Sequence, residues 1–135
     1  MNNADQSWLE RYVAENGAVA GTVHRVSSGG DLGLTAAFNI PPPVVAIIER
    51  VPRGKGMAGL AFEQNEPIST CNIQTDDSGR VRPGAKMVGA QAGVALPVRD
   101  AGGAVRAVVG IAYANERTLL ESELARLQER ASALP

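Results

Sequence analysis

Residues 92–114, AGVALPVRDAGGAVRAVVGIAYA, decide the fold. Two apolar runs, 92–98 and 104–114, flank Asp100-Ala101-Gly102-Gly103, and this turn composition between β-rich segments predicts an antiparallel hairpin. Neither run alternates between apolar and polar residues. Continuous apolar character fits strands covered on both faces, so the hairpin is the predicted centre of the hydrophobic core.

Working outward, AGTVHRVSS (20–28) and DLGLTAAFN (31–39) are β-rich runs separated by Ser28-Gly29-Gly30, a second hairpin. Pro41-Pro42-Pro43 breaks the pattern, and PVVAIIER (43–50) opens a helix on a proline before Pro52 stops it. Residues 60–65 predict one helical turn, and PISTCNI (67–73) a strand with proline first. Gln74 to Gln91 is too long for a structureless connection, which predicts a short helix around Ala85 to Val88 inside a functional loop. Helices close both ends. Asn3 with Gln6 caps residues 4–16, where Trp8, Leu9, Tyr12 and Val13 share a face. The box Thr118-x-x-Glu121 precedes Leu120, Leu124, Leu127, Ala131 and Leu134 at three- and four-residue steps.

A chain of 135 residues suits one domain, 1–135, that buries about two thirds of its unfolded surface. Apolar residues make up 44% and charged residues 20%, the composition of a folded globular chain. Thirteen Lys and Arg against fourteen Asp and Glu give a net charge of −1, too little field to attract nucleic acid or an anionic membrane. The polar N-terminus lacks a signal-peptide layout, and no apolar run reaches the roughly 20 residues of a membrane span, so a cytoplasmic location is expected. One cysteine excludes an internal disulfide, and Cys71 with the lone His24 cannot build a Cys/His metal site.

RGKGMAGLAFEQNEPISTCN (53–72) carries Gly54, Gly56 and Gly59 in the spacing G-x-G-x-x-G. A dinucleotide fingerprint needs a strand before the first glycine, whereas a helix and Pro52 precede it here. A phosphate-binding P-loop needs Ser or Thr after the lysine, and Gly56 follows Lys55. An anion could still rest on the turn beside Arg53 and Lys55, but the simpler use of these glycines is positive φ and close packing.

The element order, with RGKGMAGLAFEQNEPISTCNIQTD (53–76), GVALPV (93–98) and RAVVGIAYANE (106–116), resembles the GAF family of small-molecule sensor domains. The resemblance covers nearly the whole chain. It implies an α+β fold: a central antiparallel sheet of five or six strands, terminal helices on one face that often pair across a dimer, and a ligand pocket on the other. The apolar stripes agree with a homodimer through Trp8, Tyr12, Leu120, Leu124 and Leu127; their alternative use is to cover the sheet. The implied function is a sensory or regulatory one, binding a small molecule and acting through a separate signalling partner.

The free methionine-R-sulfoxide reductase branch of the family has the same glycine loop but places cysteines where Ala58 and Lys86 or Met87 stand here. Without them the thiol cycle has no obvious route. Cys71 is a weak catalytic candidate, expected to be a buried small hydrophobe in its strand. No cofactor is expected: His24 on an outer hairpin reads as a surface residue rather than a haem ligand, and Cys71 precedes the loop where bilin attachment would fall. A non-binding dimerisation scaffold is a third reading. For the pocket, strand alternation sets Thr70 and Asn72 on its more polar side, Met57 and Met87 as adaptable walls, and Arg82 with Arg80 and Lys86 toward a small anion.

Overall fold

The computed structural model describes residues 1–81 and 83–135, the side chains of residues 83, 84 and 87 excepted. The 92–114 stretch forms the expected hairpin, β5 (Gly93–Arg99) and β6 (Val105–Ala112). The Asp100 carboxylate closes its turn by accepting from the amides of Gly102 and Ala104 at 2.9 and 3.1 Å. β1 (Ala20–Val26) and β2 (Leu32–Phe38) form the second hairpin, and β1 pairs with β6 along its length, so the two hairpins meet at the middle of the sheet. Short edge strands complete it: β3 (Arg50–Val51) on β2 and β4 (Ile68–Thr70) on β5. The order is β3-β2-β1-β6-β5-β4, antiparallel throughout. Pro97 is tolerated inside β5 because β4 pairs only with Gly93 to Ala95 and has ended before it.

Two different layers cover the sheet. On one face, Val23, Val94, Leu96, Val98, Val109 and Ile111 pack against α1 (Asn3–Glu15), α4 (Glu121–Ala131) and Leu134. On the other, α3 (Gly56–Gln64) lays Ala61 and Phe62 on Leu32, Val51, Ile68, Ala95 and Val108. α2 (Pro42–Ile48) and a 3-10 segment, Pro83–Val88, lie beside α3 on this second face.

The local starts and stops differ from expectation in five places, the first being α2, which ends at Ile48 because Arg50 and Val51 pair with β2 as β3. α1 is capped by Asn2, whose side chain accepts from the Asp5 amide at 3.0 Å, because the Asn2 amide is tied to the Thr35 carbonyl and held extended. No Thr118–Glu121 box forms. Leu119 packs on the core and the chain stays extended through Leu120, whose amide donates to Glu123 Oε1 at 3.4 Å; leucine offers no acceptor, so only half a box exists. α3 runs nine residues rather than one turn and takes the last two loop glycines into itself, ending at left-handed Asn65. β4 stops three residues earlier than expected, at Thr70.

Asp5 fastens the terminal-helix layer to the sheet. Fully buried, its carboxylate accepts from Arg25 Nε and Nη2, both at 2.8 Å, and from Thr35 Oγ1 at 2.6 Å, joining α1 to β1 and β2. Tyr12 stacks on Trp8 at 4.6 Å and donates its hydroxyl to the Leu127 carbonyl at 2.7 Å, joining α1 to α4. Arg106 holds the carbonyls of Leu134 and Pro135 at 2.7 and 3.1 Å. The arginine bonds keep the Asp5 carboxyl below its usual range, so its contribution is present in full above the ordinary carboxylate pKa and is lost as pH falls from there through the lowered folded pKa. Asp5→Ala strands a half-buried guanidinium and a hydroxyl, and urea unfolding at neutral pH should show a loss of about 2–4 kcal/mol. A loss below about 0.5 kcal/mol, the ordinary scatter of surface substitutions, would refute the anchoring role.

Candidate functional site

Alternation along three adjacent strands builds a cavity. Residues that point away from α1 and α4 are small: Ala20 and Thr22 on β1, Gly93 and Ala95 on β5, Gly110 and Ala112 on β6. A Cβ on Gly110 would come within 2.9 Å of Thr22 Oγ1, so glycine keeps this floor low. Val44, Ile47 and Ile48 of α2, Met57 and Ala58 of α3, and Val81, Ala85 and Val88 arch over it. The space between holds about 170 Å³ and is walled almost wholly by aliphatic groups.

His24 is the polar residue buried in this wall. It is 3% exposed, against the expectation of a surface position, because β1 is an interior strand between β2 and β6 and α2 closes over its ring. Nε2 lies 2.8 Å from the Ile48 carbonyl, which can only accept, so Nε2 carries the proton and Nδ1 the lone pair. Nδ1 is sealed from solvent and finds no donor among the described residues. Burial pushes the imidazole pKa below its ordinary 6.5, with the Ile48 bond opposing, and keeps the ring neutral.

The glycine spacing serves the backbone. Gly54 and Gly56 have φ of +83° and +67°, and a Cβ on Gly59 would meet the Pro52 carbonyl at 2.5 Å. The amide of Gly54 donates to the Gly59 carbonyl and that of Lys55 to Pro52, so these groups are not offered to a phosphate. Arg53 lies over the Phe62 ring, 5.0 Å from its centre.

The expected site residues fall in several places. Met57 lines the cavity. Thr70 is buried but its hydroxyl donates to Asp76 Oδ2 at 2.6 Å, and Asn72 donates to Glu116 Oε2 at 2.5 Å and caps the Gln74 amide; neither is among the lining residues. The alternation that pairs them ends with β4, and Ile73 enters the wall instead. Arg82 lies outside the described residues, as does the side chain of Met87. Trp8, Tyr12 and Leu127 are buried in this chain's own core, Leu124 is partly buried, and Leu120 is 61% exposed. Cys71 is exposed rather than buried, because the chain leaves the sheet after Thr70. No three His, Cys, Asp or Glu groups converge among the described residues. What the sequence reading missed is His24 and the floor; the available signal was the recurrence of Ala, Gly and Thr at alternate positions of three strands.

A mixed α+β domain with a covered apolar cavity on one sheet face is the class that this geometry defines. The GAF domain family model matches residues 7–134, and the chain belongs to that family. The structure is similar to the GAF domain region of a Geobacter sulfurreducens protein, with TM-score 0.78 and 15% identity over 96% of this chain and 86% of that one. It is also similar to the type II free methionine-R-sulfoxide reductase of Thermoplasma acidophilum, with TM-score 0.74 and 16% identity over 95% and 86%. The GAF domain of an Acinetobacter phosphoenolpyruvate-protein phosphotransferase gives TM-score 0.72 and 14% identity over 99% and 82%. No curated protein matches the sequence. Among the described residues no helix is long and apolar enough to cross a membrane.

Two outcomes follow for the titrating groups. Asp76 is held at a pKa of about 2 by Ser78 first and Thr70 second, so Thr70→Val should raise it toward the ordinary carboxylate value in a carbon-13 NMR titration; an unmoved pKa would refute the Thr70 bond. His24 binds a proton more readily unfolded than folded, so it favours the folded state above pH 6.5 and destabilises it as pH falls below that value. His24→Gln should flatten the decline of Tm between about pH 7 and pH 5, and an identical slope in both proteins would exclude His24 as its source.

Proposed function

We propose that this domain binds a compact, mainly apolar small molecule in the cavity between the sheet floor and the α2–α3 cover, as a sensory or regulatory unit acting through a signalling partner. The observation that carries the reading is the unequal filling of the two sheet faces, one closed by large side chains and the other left open above small ones. The GAF fold is typical of sensory and regulatory domains in signalling proteins, which supports the same use. Size narrows the ligand. A cavity of about 150 Å³ admits a benzene-sized molecule, whereas drug-sized ligands occupy roughly 300–1,000 Å³, so about 170 Å³ suits a single ring or its equivalent. The reductase alternative gains nothing: Ala58 is in the wall where a cysteine would be needed, and Cys71 is not among the lining residues.

Toluene is a suitable probe. Titrated into nitrogen-15-labelled protein, it should shift the amides of Gly93, Gly110 and Ala112 in a saturable way, and Ala112→Leu, which fills the floor, should abolish those shifts while preserving the spectrum of β5 and β6. The wild type showing no shift at these amides would reject the reading, as would undiminished binding by a folded Ala112→Leu protein. Thr70→Val should bind toluene as the wild type does, since Thr70 is outside the wall.

A further inference from the structure

A second recess lies on the terminal-helix side of the sheet, between the end of α1, Tyr113 just past β6, and α4. It holds about 180 Å³ and, unlike the apolar cavity, it is lined by charge: Arg117, Arg126 and Arg130 stand around it with Glu15 and Glu123. The ion pairs among the described residues are Arg25 with Asp5 and Arg50 with Asp31, so none of these three arginines is matched to a carboxylate. Tyr113 supplies the second observation. It is only 2% exposed, it lines the recess, and its hydroxyl has no hydrogen-bond partner among the described residues. That hydroxyl is not sealed off, because the unpartnered side-chain atoms without accessible surface are His24 Nδ1 and Gln128 Oε1. A phenol so deeply buried ordinarily finds a partner for its O–H. We propose that this recess is a second binding site, taking a phosphate group, free or at the end of a small molecule, between the three arginines and the Tyr113 hydroxyl. It is independent of the use proposed for the apolar cavity on the opposite face.

Two of the guanidinium groups are already oriented. Arg117 lies over the Tyr113 ring, 4.0 Å from its centre, and Arg130 donates to Asn16 Oδ1 at 2.8 Å, while the Asn16 side-chain nitrogen donates to the Tyr12 carbonyl and holds that amide in place. Planar forks held in this way pair with phosphate oxygens through parallel N–H bonds, at a smaller entropic cost than free side chains. Burial raises the Tyr113 pKa, with Arg117 opposing, so the phenol keeps its proton at neutral pH and can donate it. Three arginines against two glutamates leave one positive charge in excess, which favours an anion over a cation or a neutral guest. Phosphate suits the lining better than a carboxylate, because its additional oxygens accept from several donors at once. Glu15 and Glu123 oppose the anion, and this opposition gives the proposal a test of sign.

The chain has two tyrosines, and the hydroxyl of Tyr12 is committed to the Leu127 carbonyl, so carbon-13 tyrosine labelling gives one reporter and one internal reference. Inorganic phosphate, titrated at constant ionic strength, should move the Tyr113 Cζ resonance in a saturable way and leave that of Tyr12 in place. Tyr113→Phe keeps the ring beneath Arg117 and removes only the hydroxyl; by calorimetry it should raise the phosphate Kd about tenfold, the loss expected of one hydrogen bond to a charged group. Arg126→Gln should raise it about threefold, as an exposed cation is partly screened, and Glu15→Gln should lower it. Glycerol phosphate binding more tightly than inorganic phosphate assigns the site to a phosphate ester, and the reverse order assigns it to the free ion. A Tyr113 resonance that phosphate moves no further than chloride or acetate at the same ionic strength would overturn the proposal, as would an unchanged phosphate Kd in a folded Arg126→Gln protein. If Tyr113→Phe does not fold, the wild-type titration and Arg126→Gln, whose side chain is exposed, decide between these outcomes.

Discussion

Side-chain size alternates with a period of two along β1, β5 and β6, and the rest of the structure depends on it. Val23, Val94, Leu96, Val98, Val109 and Ile111 point one way, and Ala20, Thr22, Gly93, Ala95, Gly110 and Ala112 the other. Because consecutive strand residues face opposite sides, a slip of one residue in the pairing of β5 with β6 would exchange the two sets and place glycines under the terminal helices. The register is fixed by both consequences at once. Large residues must meet α1 and α4 to bury their area, and the small ones then leave a space that α2 and α3 span but do not fill.

The two covers are fastened differently. Terminal helices are bound by polar groups that reach across layers: Asp5 with Arg25 and Thr35, Tyr12 with the Leu127 carbonyl, Arg106 with the carbonyls of Leu134 and Pro135. α2 has seven residues, no side-chain cap, and buries only Val44. Its known ties to the sheet are backbone bonding from Leu34 to Glu49 at its end and the His24 ring on Ile48. A short helix with little buried area opens at lower free energy than a core helix, so the cavity lies beneath the more yielding of the two layers. Within the proposed reading, that is the layer through which occupancy of the cavity would be felt.

Much of this was legible in the sequence, and the reasons differ by element. The 92–114 hairpin and the two amphipathic ends were readable because periodicity and turn composition are local properties. Asn2 rather than Asn3 caps α1 because of a bond to Thr35, thirty-three residues away, which no local pattern records. Cys71 and Asn72 were misplaced by extending an alternation beyond the end of β4, whose length is set by how far β5 offers a partner. His24 was read from its position in an apparently outer hairpin. The pairing of β1 with β6 makes it interior, and only the sheet order reveals that.

The charge of the cavity wall argues against the ligands that the glycine spacing first suggests. A phosphate or dicarboxylate placed over Ala95 and Gly110 would lose its hydration among aliphatic groups, and burying an ionised group without a partner costs far more than a neutral hydrogen bond returns. Lys55 is the cationic side chain of the wall, and it is exposed, so its charge is largely screened by water. Two of the loop amides, those of Gly54 and Lys55, are already bonded to the carbonyls of Gly59 and Pro52. The same three glycines that mark a phosphate cradle in other settings here let α3 start close against Pro52, and in doing so they position Met57 and Ala58 as apolar wall. Glycine spacing therefore specifies a backbone path, and whether that path binds an anion depends on which amides the path leaves free.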